Sequence, residues 1–74
     1  MAKKDLQLAP MQRLIKKAGA SRVSESAAIE LREVLEEVGL KITKEAWDFA
    51  QHANRKTVKD VDIRIAAQKV LKYT

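Results

Sequence analysis

From Ala28 to Ala53 an apolar residue recurs every three or four positions: Ala28, Leu31, Leu35, Val38, Ile42, Ala46, Phe49 and Ala53. That spacing is the period of a helix with one apolar face. Ser24 stands where an N-cap belongs, no proline intervenes, and Asn54 is the first residue suited to the left-handed conformation that ends helices. Gly39 is the weak point. The spacing predicts one helix from about Glu25 to Ala53, about 42 Å long at roughly 1.5 Å per residue. A compact chain of this size has a radius of gyration of only about 11 Å, hence a diameter of about 30 Å. Such a helix overhangs its own core, and two short helices cannot cover its stripe. The cheapest matching surface is a second copy, with the long helices crossing, so the expectation is an obligate dimer with little stable monomer.

Two shorter helices flank this one. Pro10 fits a first helical position, and Met11, Leu14, Ile15 and Ala18 follow at helical spacing until Gly19 offers a stop. After Asn54, Thr57 with Asp60 three residues on resembles a capping box, and Val61, Ile65, Ala66 and Val70 make the apolar face of a third helix. The expected fold is all-α, short-long-short, a single domain over residues 1–74 with its core at about 8–70 and short flexible ends. With ends this short, no regulation through long tails is expected.

Composition agrees with one small folded domain. The chain is 46% hydrophobic with two glycines and one proline, which argues against disorder and linkers. It has no cysteine, so no disulfide or thiolate site compensates for its size. "MAKKDLQLAP" lacks the apolar run of a signal peptide and no window approaches a membrane span, so the expectation is a soluble cytoplasmic protein. Of the net charge of +5, residues 1–22 carry +5, residues 23–48 carry −4 and residues 49–74 carry +4. Basic ends around an acidic middle suggest a face aimed at a polyanion, nucleic acid first and an anionic membrane surface second, against ordinary solubilising charge.

Reactive side chains gather in one stretch, "HANRKTVKDVD", His52 to Asp62. His52 has no second histidine or cysteine to complete a metal site, and no nucleophile or cleft to serve as a base. Asp60 and Asp62 form an Asp-x-Asp, but beside Arg55, Lys56 and Lys59 it reads as charge pairing at a helix start rather than a magnesium site. Without a glycine-rich phosphate loop or a nucleophile–base pair, no enzyme, metal or cofactor is expected.

"APMQRLIKKAGASRVSESA" followed by "HANRKTVKDVDIRIAA" resembles an archaeal histone over about residues 8 to 70. The resemblance rests on the Pro-started first helix, the Lys-Ala-Gly-Ala turn, "RVS" opening the long helix, and His-Ala-x-Arg-Lys-Thr followed by Asp62. It implies a histone fold whose dimers form by a head-to-tail handshake, associate into larger assemblies and wrap double-stranded DNA. By the same resemblance Arg13 enters a minor groove, with Lys16 and Lys17 one turn beyond. Arg22 and Thr57 meet across the dimer so that the hydroxyl steadies a second groove-facing arginine. Lys56 contacts phosphate, and Lys59 is counted with the DNA-facing set. His52 and Asp62 pair between neighbouring dimers, flanked by Phe49 and Ile65, while Arg55 forms an internal ion pair with Asp62. Gly19 matches a small residue that lets dimers stack in filaments.

Asn54 stands where the family often has glycine, and Trp47 replaces a smaller residue. The favoured place for Trp47 is a partly buried contact between the long and third helices, the alternative a neighbour interface. Lys3 and Lys4 carry no assigned role. The partners expected are double-stranded DNA and a second copy, assembled into tetramers or longer chains, with a related histone as another possible dimer partner. Two other readings remain: a histone-fold component of a heteromeric transcription or DNA-repair complex, and a module whose basic ends meet an acidic protein.

Overall fold

The computed structural model describes residues 6–71, so Lys3 and Lys4 lie outside the described residues. Three helices follow in order, α1 (Leu8–Lys17), α2 (Glu25–His52) and α3 (Asp60–Leu71), with no strand among the described residues. Two compact units, Met1–Glu37 and Val38–Thr74, divide α2 near its middle.

In the first unit Met11 on α1 and Ala28 on α2 are buried. The segment before α1 is tied to α2 by the Leu6 N–H, which donates to Glu36 Oε2 at 3.0 Å. α1 begins two residues earlier than the sequence suggests, making Pro10 its third residue. The first four amides of a helix have no acceptor within it, so a proline anywhere in that turn forfeits no bond. Gln7 precedes the helix without a side-chain cap.

The end of α1 follows the backbone logic closely. Gly19 N–H donates to Lys16 O at 3.0 Å and Ala20 N–H to Ile15 O at 3.4 Å. These are the paired bonds of a Schellman motif, with Gly19 at a φ of 120°. α2 starts as its sequence suggests: Ser24 Oγ accepts from the Ala27 N–H at 3.1 Å.

In the second unit the fully buried side chains are small: Ala46 and Ala50 on α2 and Ala66 on α3. Ala53, the expected last member of the stripe, is exposed because it follows the last turn rather than belonging to it. Beyond it Asn54 takes a φ of 60°. Asn54 N–H donates to Gln51 O and Arg55 N–H to Ala50 O, both at 2.9 Å, repeating the Schellman pattern with asparagine in glycine's place.

The start of α3 corrects the sequence reading. Thr57 does not cap it; the helix opens at Asp60, and Asp62 reaches back to accept from the Lys59 N–H at 2.8 Å. The third residue of the helix thus satisfies the amide before it, which is half of a capping box in a register two residues later than expected. Farther along, Lys69 Nζ meets Glu45 Oε2 at 2.6 Å and links α3 to α2.

Asn54→Ala should lower thermal stability by about 1 kcal/mol, because a Cβ without a local polar partner disfavours positive φ. Asn54→Gly should hold or raise it. Melting curves at one protein concentration check this; equal losses in both variants would assign the effect to the side chain instead.

Candidate functional site

The connector between α2 and α3 is organised around one carboxylate. Asp62 is buried, at 3% exposure. Arg55 grips it with both ends of its guanidinium: Nη1 donates to Oδ2 and Nη2 to Oδ1, each at 2.9 Å. Nη1 also donates to the Thr57 carbonyl at 3.0 Å, and the Lys59 amide adds its bond to Oδ2. A planar fork on a planar acceptor is the strongest common form of ion pair.

The pKa of Asp62 follows from this. The Arg55 hydrogen bonds first, then the Lys59 amide, hold it at about 2 against the opposing effect of burial, below the ordinary 3.8. Arg55 is raised in turn, chiefly by the same bond. With Arg55 and Lys59 N turned toward Asp62 and Thr57 O toward Arg55, the side chains of Lys56, Thr57 and Lys59 are exposed.

His52, the last residue of α2, lies in the same stretch but does not join that cluster. Its Nδ1 is 2.8 Å from the Asp48 carbonyl oxygen. A carbonyl only accepts, so Nδ1 carries the hydrogen and the neutral ring leaves Nε2 as an acceptor. His52 is exposed, Ile65 is 48% exposed, and Phe49 is half-buried.

The acidic pair divides its tasks. Asp60 Oδ1 accepts from the Val61 N–H at 2.8 Å and Oδ2 lies 3.8 Å from Arg64, while Asp62 belongs to Arg55. Among the described residues no three His, Cys, Asp or Glu side chains gather where they could hold a metal ion.

The other cations of the expected DNA-facing set, Arg13, Lys16, Lys17 and Arg22, lie in the first unit. Arg13, Lys16 and Lys17 are exposed and, with Leu14, line a surface concavity on α1. Lys16 and Lys17 occupy the last turn, where positive charge also suits the helix dipole. Arg22 is exposed in the first connector. A Cβ built on Gly19 would meet nothing within 4 Å, so its glycine serves the positive φ and not packing within the chain.

Sequence reasoning missed a second concavity, lined by Trp47, Gln51, Asn54, Arg55 and Lys56. Trp47, expected in a partly buried contact, keeps 40% of its surface exposed there. The signal was present in the spacing, since Trp47, Gln51 and Asn54 follow at i, i+4 and i+7. The Glu45–Lys69 bridge had no such signal.

Short, long and short helices, with exposed cations on α1 and in both connectors, define the class of histone folds. Residues 4–67 match the family described as histone-like transcription factor (CBF/NF-Y) and archaeal histone, and the chain belongs to that family. It is 55% identical over 64 residues to one of the chains of archaeal histone HAN1 from Thermococcus zilligii, covering 86% of this chain and 96% of that protein. It is 50% identical over 62 residues to probable archaeal histone 3 of Methanocaldococcus jannaschii, covering 84% and 92%. Membership places it with structural DNA-binding proteins and not with enzymes. No helix among the described residues is long and apolar enough to cross a membrane.

Because the folded pKa of Asp62 lies below its ordinary value, its contribution to stability is complete above about pH 4 and is lost as pH falls toward 2. Asp62→Asn should therefore be less stable than wild type at neutral pH, with the difference narrowing across that acid window. Urea denaturation at a series of pH values checks this; a constant difference down to pH 2 would refute the assignment.

Proposed function

We propose that this chain, an architectural DNA-binding protein of chromatin, acts as a homodimer of single histone-fold domains on the chromosome in the cytoplasm. The dimer binds double-stranded DNA largely without regard to sequence, bends and wraps it, and adds further dimers to form tetramers or longer filaments. The observation that carries the dimer is the unfilled core. Among the described residues no large side chain is fully buried, while the aliphatic Leu14, Val34, Leu40, Val58, Val61, Ile65 and Leu71 are 39–56% exposed. Full burial of one such aliphatic side chain contributes about 1.5–3 kcal/mol, so covering what these expose is worth on the order of 10 kcal/mol per chain. That rivals the whole net stability of a small domain. Folding and pairing are then one reaction, with a related histone as the other candidate partner.

The DNA surface is the exposed set Arg13, Lys16, Lys17, Arg22, Lys56, Thr57 and Lys59. Arginines suit a narrow minor groove and lysines the phosphates, so the duplex is gripped and bent without its bases being read. Dimers meet through Phe49, His52, Asp62 and Ile65. The open surroundings of Gly19 leave room for successive dimers to stack.

Nuclease digestion of random-sequence DNA saturated with the protein should leave protected fragments that lengthen in regular steps; a single sequence-specific footprint would overturn the architectural reading. Lys56→Ala should weaken binding alike on all sequences and reduce the log–log salt slope by about 0.9 for each phosphate it no longer neutralises. Light scattering on the purified chain tests the homodimer, since an aggregated or unfolded chain would point to a missing partner.

With Nδ1 of His52 donating to the Asp48 carbonyl, direct pairing with Asp62 of a neighbouring dimer runs through Nε2. His52→Ala should weaken tetramers while leaving dimers intact; sedimentation velocity showing unchanged assembly would remove the pair.

A further inference from the structure

The largest aromatic side chain of the protein is left half in water. Trp47 keeps 40% of its surface exposed on the flank of α2 and, with Gln51 and Asn54, lines a concavity completed by Arg55 and Lys56. No carboxylate among the described residues lines it. Its lining offers an indole N–H, two side-chain amides and an ammonium as donors, while Asp62 occupies the Arg55 fork. A surface made of donors, an exposed ammonium in its lining and a flat apolar plate fits a ligand with anionic oxygens beside apolar faces.

We propose that this concavity receives a segment of the DNA sugar–phosphate backbone, with Trp47 packing against the sugar and its N–H directed to a phosphate. The proposal rests on the DNA-binding reading above and extends that interface from the connector onto α2. Two observations favour DNA over an acidic protein segment. Lys56 belongs both to this concavity and to the exposed connector with Thr57 and Lys59, so one strand can follow both. The donors are spread over two turns of helix and the following connector, a spacing suited to a continuous polyanion rather than to an isolated carboxylate.

Trp47 is the only tryptophan, so its emission reports this site alone. Full-length protein would be titrated with a random-sequence duplex too short for two dimers, following emission, acrylamide quenching and gel mobility on the same samples. The expected result is a change in emission and a fall in quenching that track the bound fraction. Trp47→Ala, shown to be folded by circular dichroism, should bind about five- to tenfold more weakly with an unchanged salt slope, because no charge is removed. Trp47→Phe should fall between them. Full binding with Trp47 emission and quenching unchanged overturns the proposal and leaves the DNA-binding reading standing; loss of all duplex binding by the wild type overturns both. Quenching already suppressed without DNA would show that a second copy covers Trp47. A response to polyglutamate but not to duplex would show an acidic protein partner. Either result overturns the proposal.

Discussion

One buried carboxylate governs the passage from α2 to α3. Asp62 accepts both arms of Arg55 and the Lys59 amide, which ties the third residue past the end of α2 to the third residue of α3. Both anchors are needed because neither neighbouring element is self-sufficient. Asn54 turns the chain out of its helix at positive φ, and Thr57 contributes only a carbonyl to the network. Without the carboxylate, two arginine donors and an amide would lose their acceptor together, a cost larger than that of any exposed ion pair. Lys69 with Glu45 is a pair of that weaker, exposed kind.

The interior around this joint is lean. Among the described residues alanine supplies four of the five buried hydrophobic ones, which brings backbones close but buries little apolar area. Larger residues sit at the edges, half covered. A chain built this way holds its turns by local hydrogen bonds, two Schellman motifs and a serine cap, and leaves its hydrophobic stabilisation to be completed by a partner. Folding information and assembly information are thus stored in different residues: caps and turns in the first case, half-exposed aliphatic side chains in the second.

This division explains what could be read from the sequence. Helical periodicity located α2 to within a residue, and Ser24, Gly19 and Asn54 behave as their backbone preferences demand, because caps depend on a few neighbouring atoms. Pro10 was misplaced by two residues since any position in a first turn satisfies the same constraint. Thr57-x-x-Asp60 and Lys59-x-x-Asp62 compete as starts for α3, and a side chain seven residues from Asp62 settles the contest. Local pattern favours the first; Arg55 selects the second by placing its fork where only Asp62 can fill it. The concavity lined by Trp47 escaped because a single apolar stripe was sought along α2. Trp47 lies on another flank, near the exposed Leu40 two turns earlier.

The connector itself carries the functional argument further than any one residue in it. Arg55 turns toward Asp62, and this inward turn keeps Lys56 and Thr57 on the outside of a short, closed loop. His52, at the end of α2, is fixed in one tautomer by its own helix backbone. Asp62, the proposed dimer contact, lies six residues from Lys56, the proposed DNA contact, and the bonds of Arg55 and the Lys59 amide to that carboxylate hold the segment between them closed. On the proposed reading a surface and an interface share this short scaffold, so DNA that orders the loop would also order the acceptor offered to a neighbouring dimer, and by linkage each event would strengthen the other.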